Sequence, residues 1–172
     1  MKTDIMGIQF NNVTMDEAID QAKRILSGTK TCYAVTPNAE IAYEAIHDEK
    51  LRALINEADL VLPDGAGVVL ASKLLKTPLK QKVAGVDFAD RLLGVLAETG
   101  KSVYLLGSKP GIAELAAEKM RQKHPGLIIC GMHDGYFKEE APIIEAVNEA
   151  APDVLFVCLG APKQELFMKA HQ

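Results

Sequence analysis

Tryptophan is absent from this 172-residue chain, and four Tyr and five Phe make up its whole aromatic complement. Few flat surfaces are therefore available for stacking nucleic-acid bases. Cationic residues are not in excess either. Nineteen Lys and Arg stand against 23 Asp and Glu, a net charge of -4, which argues against a nucleic-acid partner. Cysteine is sparse: Cys32, Cys130 and Cys158 lie singly in β-like runs, and their spacing matches no zinc pattern. They read as buried, reduced thiols of a cytosolic protein. No apolar run approaches the ~20 residues that span a bilayer. Met1-Lys2-Thr3-Asp4 leads into no apolar stretch of the kind a signal peptide carries. A soluble protein that can still sit on a membrane surface is expected. Repeats, low-complexity tracts and linkers are also missing, so 1–172 is expected to be a single domain.

What is present is an ordinary globular composition, 48% hydrophobic and 24% charged, arranged as alternating strands and helices. Ile5 to Phe10 reads as a strand. Thr14 with Glu17 three residues on forms a capping box for a helix carrying Ala18, Ile19, Ala22, Ile25 and Leu26, ended by Gly28. Thr31 to Val35 is a second strand and Asn38 to Ala58 one long helix. Leu60 to Leu62 is a short buried strand, followed by a turn at Pro63-Asp64-Gly65 and a helix to about Leu75. The polar segment Lys76 to Lys82 reads as a surface excursion rather than a core element. A helix after Val83-Ala84-Gly85 runs to Gly100. Ser102 to Gly107 is a near-continuous apolar run, as in a strand buried on both faces. The next helix begins after Pro110. Leu127 to Cys130 is a strand, Gly131 to Phe137 a loop and Glu139 to Ala150 a helix. Asp153 to Leu159 is a strand, and a last helix opens after Pro162. This alternation predicts an α/β, Rossmann-like fold: a mostly parallel sheet with helices on both faces.

In such a fold the turns that follow the strands share one sheet edge, where ligands bind. Asp64 is the lone carboxylate at such a turn. It reads either as a reactive group or as the cap of the following helix. Gly107-Ser108-Lys109-Pro110-Gly111 lies between a strand and a helix and suits a phosphate, because helix N-terminal amides attract anions. It is neither G-x-G-x-x-G nor a P-loop. Tyr136 and Phe137 after Gly135 can flank a base or sugar, or plug the core. Lys163, Gln164 and Glu165 place a cation, an amide and a carboxylate in one helical turn; Glu165 also suits the helix dipole. Thr36 and Asn38 around Pro37 can contact a ligand or cap a helix. His133-Asp134 has no second His at ligand spacing, so no metal site is expected. With no covalent-catalysis constellation either, a single strand-end Asp suits a general base that deprotonates a hydroxyl.

Thr36-Pro37-Asn38-Ala39-Glu40, Pro63-Asp64-Gly65-Ala66-Gly67, Val83-Ala84-Gly85-Val86-Asp87, the Gly107 to Gly111 loop, Gly135-Tyr136-Phe137 and Gly160-Ala161-Pro162-Lys163-Gln164-Glu165 occur in one chain in this order. In this the sequence resembles the WecG/TagA/CpsF glycosyltransferase family from Ile5 onward, and within it the TagA branch of bacteria that build wall teichoic acid. The resemblance implies an inverting transferase without a metal or other cofactor. It would move N-acetylmannosamine from its UDP donor to undecaprenyl-diphosphate-linked N-acetylglucosamine, at the cytoplasmic face of the cell membrane. It implies Asp64 as base, Thr36 and Gln164 as further pocket residues, and Gly107 to Gly111, Tyr136 and Lys163 around UDP. Asn38, Phe137 and Glu165 complete the expected substrate contacts. Relatives usually read E-R-V-A-G where this chain has Gln81-Lys82-Val83-Ala84-Gly85, so Lys82 keeps the charge of an arginine without its bidentate fork. The resemblance also implies a further glycine-rich segment and a basic C-terminal stretch, which docks on the membrane, past the position of Gln172. Without them the chain is expected to be a truncated, poorly active form. A homodimer or small oligomer is also expected. Related UDP-hexose or UDP-N-acetylmannosaminuronate transfer, a nicotinamide-dependent oxidoreductase and a non-catalytic nucleotide-binding module are the competing readings; the missing dinucleotide fingerprint weighs against the oxidoreductase.

Overall fold

The computed structural model describes residues 2–172. The chain divides into two compact units, one of residues 1–90, 165–170 and 172, the other of 91–164 and 171. Both alternate strands and helices with parallel pairing, and eight helices occur among the described residues. The expected α/β, Rossmann-like character is borne out; the parallel strands form a two-stranded and a three-stranded sheet.

The first unit opens with a hairpin, β1 (Lys2–Ile5) and β2 (Ile8–Asn11), where one strand was expected. Met6 and Gly7 both have positive φ, 57° and 87°, as a two-residue turn between antiparallel strands requires. Asp4 Oδ1 accepts the Gly7 N–H at 3.0 Å and secures the turn. Helix α1 (Met15–Leu26) carries the predicted capping box: Thr14 Oγ1 accepts the Glu17 N–H, and Glu17 accepts the Thr14 N–H. Strand β3 is short (Ala34–Val35) and pairs in parallel with β4 (Leu60–Val61).

The single helix expected from Asn38 to Ala58 is two, α2 (Ala39–His47) and α3 (Glu49–Glu57). Asp48 separates them because its carboxylate accepts the N–H groups of Lys50 and Leu51, which starts a new helix in place of continuing the old one. Helix α4 (Ala66–Leu74) follows β4. The core joins Ile5, Ile8 and Phe10 of the hairpin to Val35, Val61, Ala45, Leu51, Ile55 and Val68. Asn11 Oδ1 accepts the Val61 N–H at 2.9 Å, tying the hairpin to β4. Leu79, in the segment expected to be a surface excursion, is buried in this core; its N–H is held by Ser72 Oγ, itself fully buried.

In the second unit β5 (Ser102–Gly107) is central, flanked in parallel by β6 (Ile128–His133) and β7 (Val154–Cys158). Its central position is why its sequence is apolar throughout and buried from Val103 to Gly107. Strand β6 runs three residues beyond the expected end at Cys130, and its register to β5 slips there, so that Tyr104 lies opposite Gly131. A Cβ on Gly131 would collide with the Tyr104 ring. Helix α5 (Gly85–Thr99) supplies buried Leu92, Leu93 and Leu96, α6 (Ile112–Lys123) packs on β5 and β6, and α7 (Ala141–Ala150) packs on β6. Helix α8 (Lys163–Ala170) ends the chain. None of the cysteines is in a disulfide; Cys32 and Cys130 are half-buried, but Cys158 is exposed at the end of β7, against the expectation of burial.

At the start of β5 and β7, Asp153 accepts from Lys101 Nζ at 2.7 Å and from the Ser102 N–H at 2.8 Å. Lys101 first, and the Ser102 amide after it, hold the Asp153 carboxyl below the usual range. A depressed folded-state value stabilises at neutral pH and is lost as pH falls through it. Replacing Asp153 with Asn is therefore expected to flatten the acid limb of urea stability between about pH 5 and pH 2. At neutral pH the cost is below about 1 kcal/mol, because both partners are a third exposed. An unchanged slope would refute the assignment.

Candidate active site

In the first unit, the turns after β3 and β4 are tied together. The Leu62 N–H donates to the Val35 carbonyl at 2.9 Å and the Asp64 N–H to that of Pro37 at 3.4 Å. The Val83 N–H donates to the Pro63 carbonyl at 2.9 Å, which brings the start of α5 to the same place. Asp64 does not cap the helix that follows it. The N-cap of α4 is Gly65, at φ 84°, with no side-chain cap. Instead Asp64 Oδ2 accepts the Gly85 N–H at 3.0 Å, at the N-terminus of α5, where a carboxylate is electrostatically favoured.

Thr36 joins this group through the same glycine. A Cβ at Gly85 would lie 2.6 Å from Thr36 Oγ1 and 3.3 Å from Asp64 Oδ2, so both oxygens border one point that only glycine leaves open. Asn38 caps α2, its Oδ1 accepting the Glu40 and Ile41 N–H groups at 3.0 Å. It therefore fills the capping alternative. Gly67 lets α4 approach α2, since a Cβ there would meet that of Ala39 at 2.8 Å. Lys82 is exposed. Gly85→Ala is expected to displace Thr36 or Asp64, and any activity that depends on their placement should fall by about tenfold or more, since small misplacements are costly in an active site. Thermal melting within a few degrees of the parent alongside lost activity would be the supporting result, and full activity the refuting one.

In the second unit, the loops after all three strands are joined at one end of the sheet. The Ser108 N–H donates to the Cys158 carbonyl at 3.1 Å, and the Gly135 N–H to the Ser108 carbonyl at 2.9 Å. Gly107, Ser108 and Gly111 all have positive φ, 131°, 67° and 83°. For Ser108 that conformation is strained, and such strain gathers at ligand loops. Ser108, Lys109, Pro110 and Gly111 are exposed, and Gly111 caps α6 without a side-chain hydrogen bond. The first-turn amides of α6 therefore meet no side-chain oxygen.

The Tyr136 side chain is 70% exposed, so it is not a core plug. Asp134 Oδ1 accepts the Tyr136 N–H at 2.7 Å and shapes the loop. Phe137 is half-buried between Lys163, whose Nζ lies 4.5 Å from the ring centroid, and His133, edge-on at 6.1 Å. Lys163 Nζ also donates to the Gly135 carbonyl at 3.5 Å. Gln164 is half-buried and its N–H donates to the Gly160 carbonyl; Glu165, in the first unit, is buried at 3% exposure.

The structure thus gathers Thr36, Asp64 and Asn38 in one unit and the 107–111 loop, Tyr136, Phe137 and Lys163 in the other. Reading single residues missed that Asp64 anchors Gly85 and that His133 supports Phe137. The only signal for the first was that Val83-Ala84-Gly85 follows the turn-like stretch as a small-residue run.

The parallel strands of the first unit end at a lone aspartate and those of the second at a glycine-rich, helix-capping loop, each the kind of strand end at which α/β proteins bind ligands. The family model for the glycosyl transferase WecG/TagA/CpsF family matches residues 3–172, and the chain belongs to that family. It is 35% identical over 147 residues to an N-acetylglucosaminyldiphosphoundecaprenol N-acetyl-beta-D-mannosaminyltransferase of Bacillus spizizenii, covering 86% of this chain and 57% of that protein. It is 31% identical over 173 residues to a protein of the same name from Staphylococcus aureus strain NCTC 8325, covering 99% of this chain and 68% of the relative. The chain thus spans a little over half the length of the Bacillus relative.

Proposed function

We propose that this protein is an inverting glycosyltransferase that moves N-acetylmannosamine from UDP-N-acetylmannosamine to undecaprenyl-diphosphate-linked N-acetylglucosamine. The names of its relatives support the transferred sugar and the acceptor, and the product would be the linkage disaccharide of wall teichoic acid. The observation that carries the chemistry is Asp64: a carboxylate at a strand end, anchored through one oxygen and absent from the cap of its own helix.

In the proposed step Asp64 takes the proton of the acceptor hydroxyl as the hydroxyl oxygen attacks the anomeric carbon. The bond from that carbon to the UDP oxygen breaks, UDP leaves with the electron pair, and the anomeric centre inverts. Thr36 Oγ1 orients the acceptor beside the carboxylate. The 107–111 loop and the uncapped α6 amides take the diphosphate, where the leaving group gathers charge. Tyr136 and Phe137 flank the uracil or sugar, Lys163 adds a cation, and Gln164 and Lys82 complete the substrate contacts, while Asn38 is taken up by the α2 cap and Glu165 is buried. The reaction takes place at the cytoplasmic membrane surface, where a lipid-linked acceptor resides.

The test is a transfer assay with a panel of UDP-sugars and a short-chain polyprenyl diphosphate acceptor bearing N-acetylglucosamine. The expected result is a disaccharide formed from UDP-N-acetylmannosamine with inverted configuration. Transfer from a different UDP-hexose, or of the uronic acid, would move the assignment to another donor.

A further inference from the structure

Residues 77–84, between α4 and α5, form neither helix nor strand. Irregular backbone of this kind is held in place only where its N–H and C=O groups find partners. Here they find them at Asn12, just past the end of β2. Asn12 Oδ1 accepts the Lys80 N–H at 2.8 Å, and Asn12 Nδ2 donates to the Pro78 carbonyl at 3.2 Å. Asn12 Nδ2 also donates to Thr3 Oγ1 on β1 at 3.1 Å, which fixes the plane of the amide. The start of α1 holds the same segment: Gln81 Oε1 accepts the Met15 N–H at 3.2 Å, and Lys80 Nζ meets Glu17 at 2.7 Å. A polar, turn-rich stretch thereby becomes a strap bound to the hairpin and to α1.

Asn11 does the matching task on the other side. It is buried at 9% exposure, and its Oδ1 holds the Val61 N–H of β4, the strand that leads into Asp64. Successive side chains of an extended chain point opposite ways, so two adjacent asparagines reach two different segments. Asn11 fixes the strand before Asp64, and Asn12 fixes the strap before Gly85. The strap then donates from Val83 to the Pro63 carbonyl and from Gly85 to Asp64 Oδ2. Asp64 and Gly85 are 21 residues apart in sequence, and both segments that bring them together are secured from this one dipeptide. All of these residues lie in the first unit. Asn56 shows what a purely structural asparagine does on the same hairpin. It accepts the Gln9 N–H and donates to the Gly7 carbonyl, each at 2.8 Å, and ties them to α3, away from Asp64 and Gly85 in sequence and hydrogen bonding.

We infer that Asn12 is a positioning residue for the Asp64–Gly85 pair, acting through the 78–82 strap, with Asn11 holding the opposite side. Asn12 bonds only to the strap and to β1. It fixes where the Gly85 amide stands, and the amide in turn fixes where the Asp64 carboxylate points. The inference rests on the reading of Asp64 as the base and deepens it: the placement of that base is set from the end of the hairpin, in a part of the chain that none of the site motifs includes.

The test combines transfer kinetics with amide hydrogen exchange, both on the full chain. Asn12→Ala should lower kcat by about tenfold while the KM for the UDP-sugar stays within about twofold, since a misplaced reacting group costs turnover. The Gly85 amide should exchange about tenfold faster, with amides inside α3 at parent rates. Gln81→Ala removes the strap's own bond to α1 and should move both readouts in the same direction. Added to Asp64→Asn, Asn12→Ala should lower transfer by no more than about twofold further, because it acts through that carboxylate. Asn56→Ala is the control: it should lower the melting temperature without changing kcat or Gly85 exchange. Parent-like exchange at Gly85 in Asn12→Ala overturns the inference. So does a fully additive loss in the double variant, or an equal effect of Asn56→Ala on kcat and Gly85. A parent that forms no disaccharide sinks the transferase reading instead, and exchange at Gly85 still decides the positioning role.

Discussion

Asp64→Asn is expected to lower sugar transfer by about 10²–10⁴-fold, the usual contribution of a positioned general base. The substitution suits the test because the anchoring bond survives it. An Asn side-chain oxygen can accept the Gly85 N–H as Asp64 Oδ2 does, so the turn after β4 and the start of α5 keep their arrangement. What is lost is the capacity to take a proton. Binding of UDP, proposed at residues of the other unit, should be nearly unchanged in calorimetric titration. Turnover loss with intact UDP binding and an unchanged melting curve is the expected pattern. Full turnover in the variant would remove Asp64 from the chemistry and return it to its structural role at the N-terminus of α5.

The second large effect is on stability. Gly107→Ala should destabilise the protein by about 3–5 kcal/mol, combining backbone strain with overpacking. The Gly107 φ of 131° lies where side chains are rarely tolerated. A Cβ there would fall within 2.9 Å of the Cys158 Cα and closer still to its carbonyl group. That carbonyl accepts the Ser108 N–H, so the clash strikes the bond joining the β5 and β7 loops. Gly111→Ala provides the comparison: φ is 83°, but nothing lies within 4 Å of the added carbon. Its cost should be only the left-handed backbone penalty of about 1–2 kcal/mol. Urea unfolding of both variants measures the difference, and equal costs would show that the close approach of β7 is not what requires glycine at 107.

Much of the chain was readable because its signals are local. The Thr14–Glu17 capping box, the Asn38 cap and the all-apolar run of the central strand depend on neighbours within four residues or on period alone. The hairpin and the broken helix were missed for a related reason. Met6 is not a usual residue for a positive-φ turn position, and Asp48 sits in an otherwise continuous helical pattern, so local preference pointed the wrong way. Burial of Leu79 was missed because Lys, Thr, Pro and Gln surround it, and only the distant Ser72 hydroxyl and the hairpin core give it a place.

The family and the residues that carry its motifs are properties of the sequence by itself, because they require only residue types in order. Tertiary structure decided what those residues hold. Asp64 reaches Gly85, 21 residues on, rather than the helix beside it. Gly107 is required by the Cys158 backbone of another strand. On α4, Val68 is buried whereas Leu70 and Leu74 are exposed. Each depends on which surfaces meet after folding, and burial and close approach between distant segments leave no local trace in the order of residues.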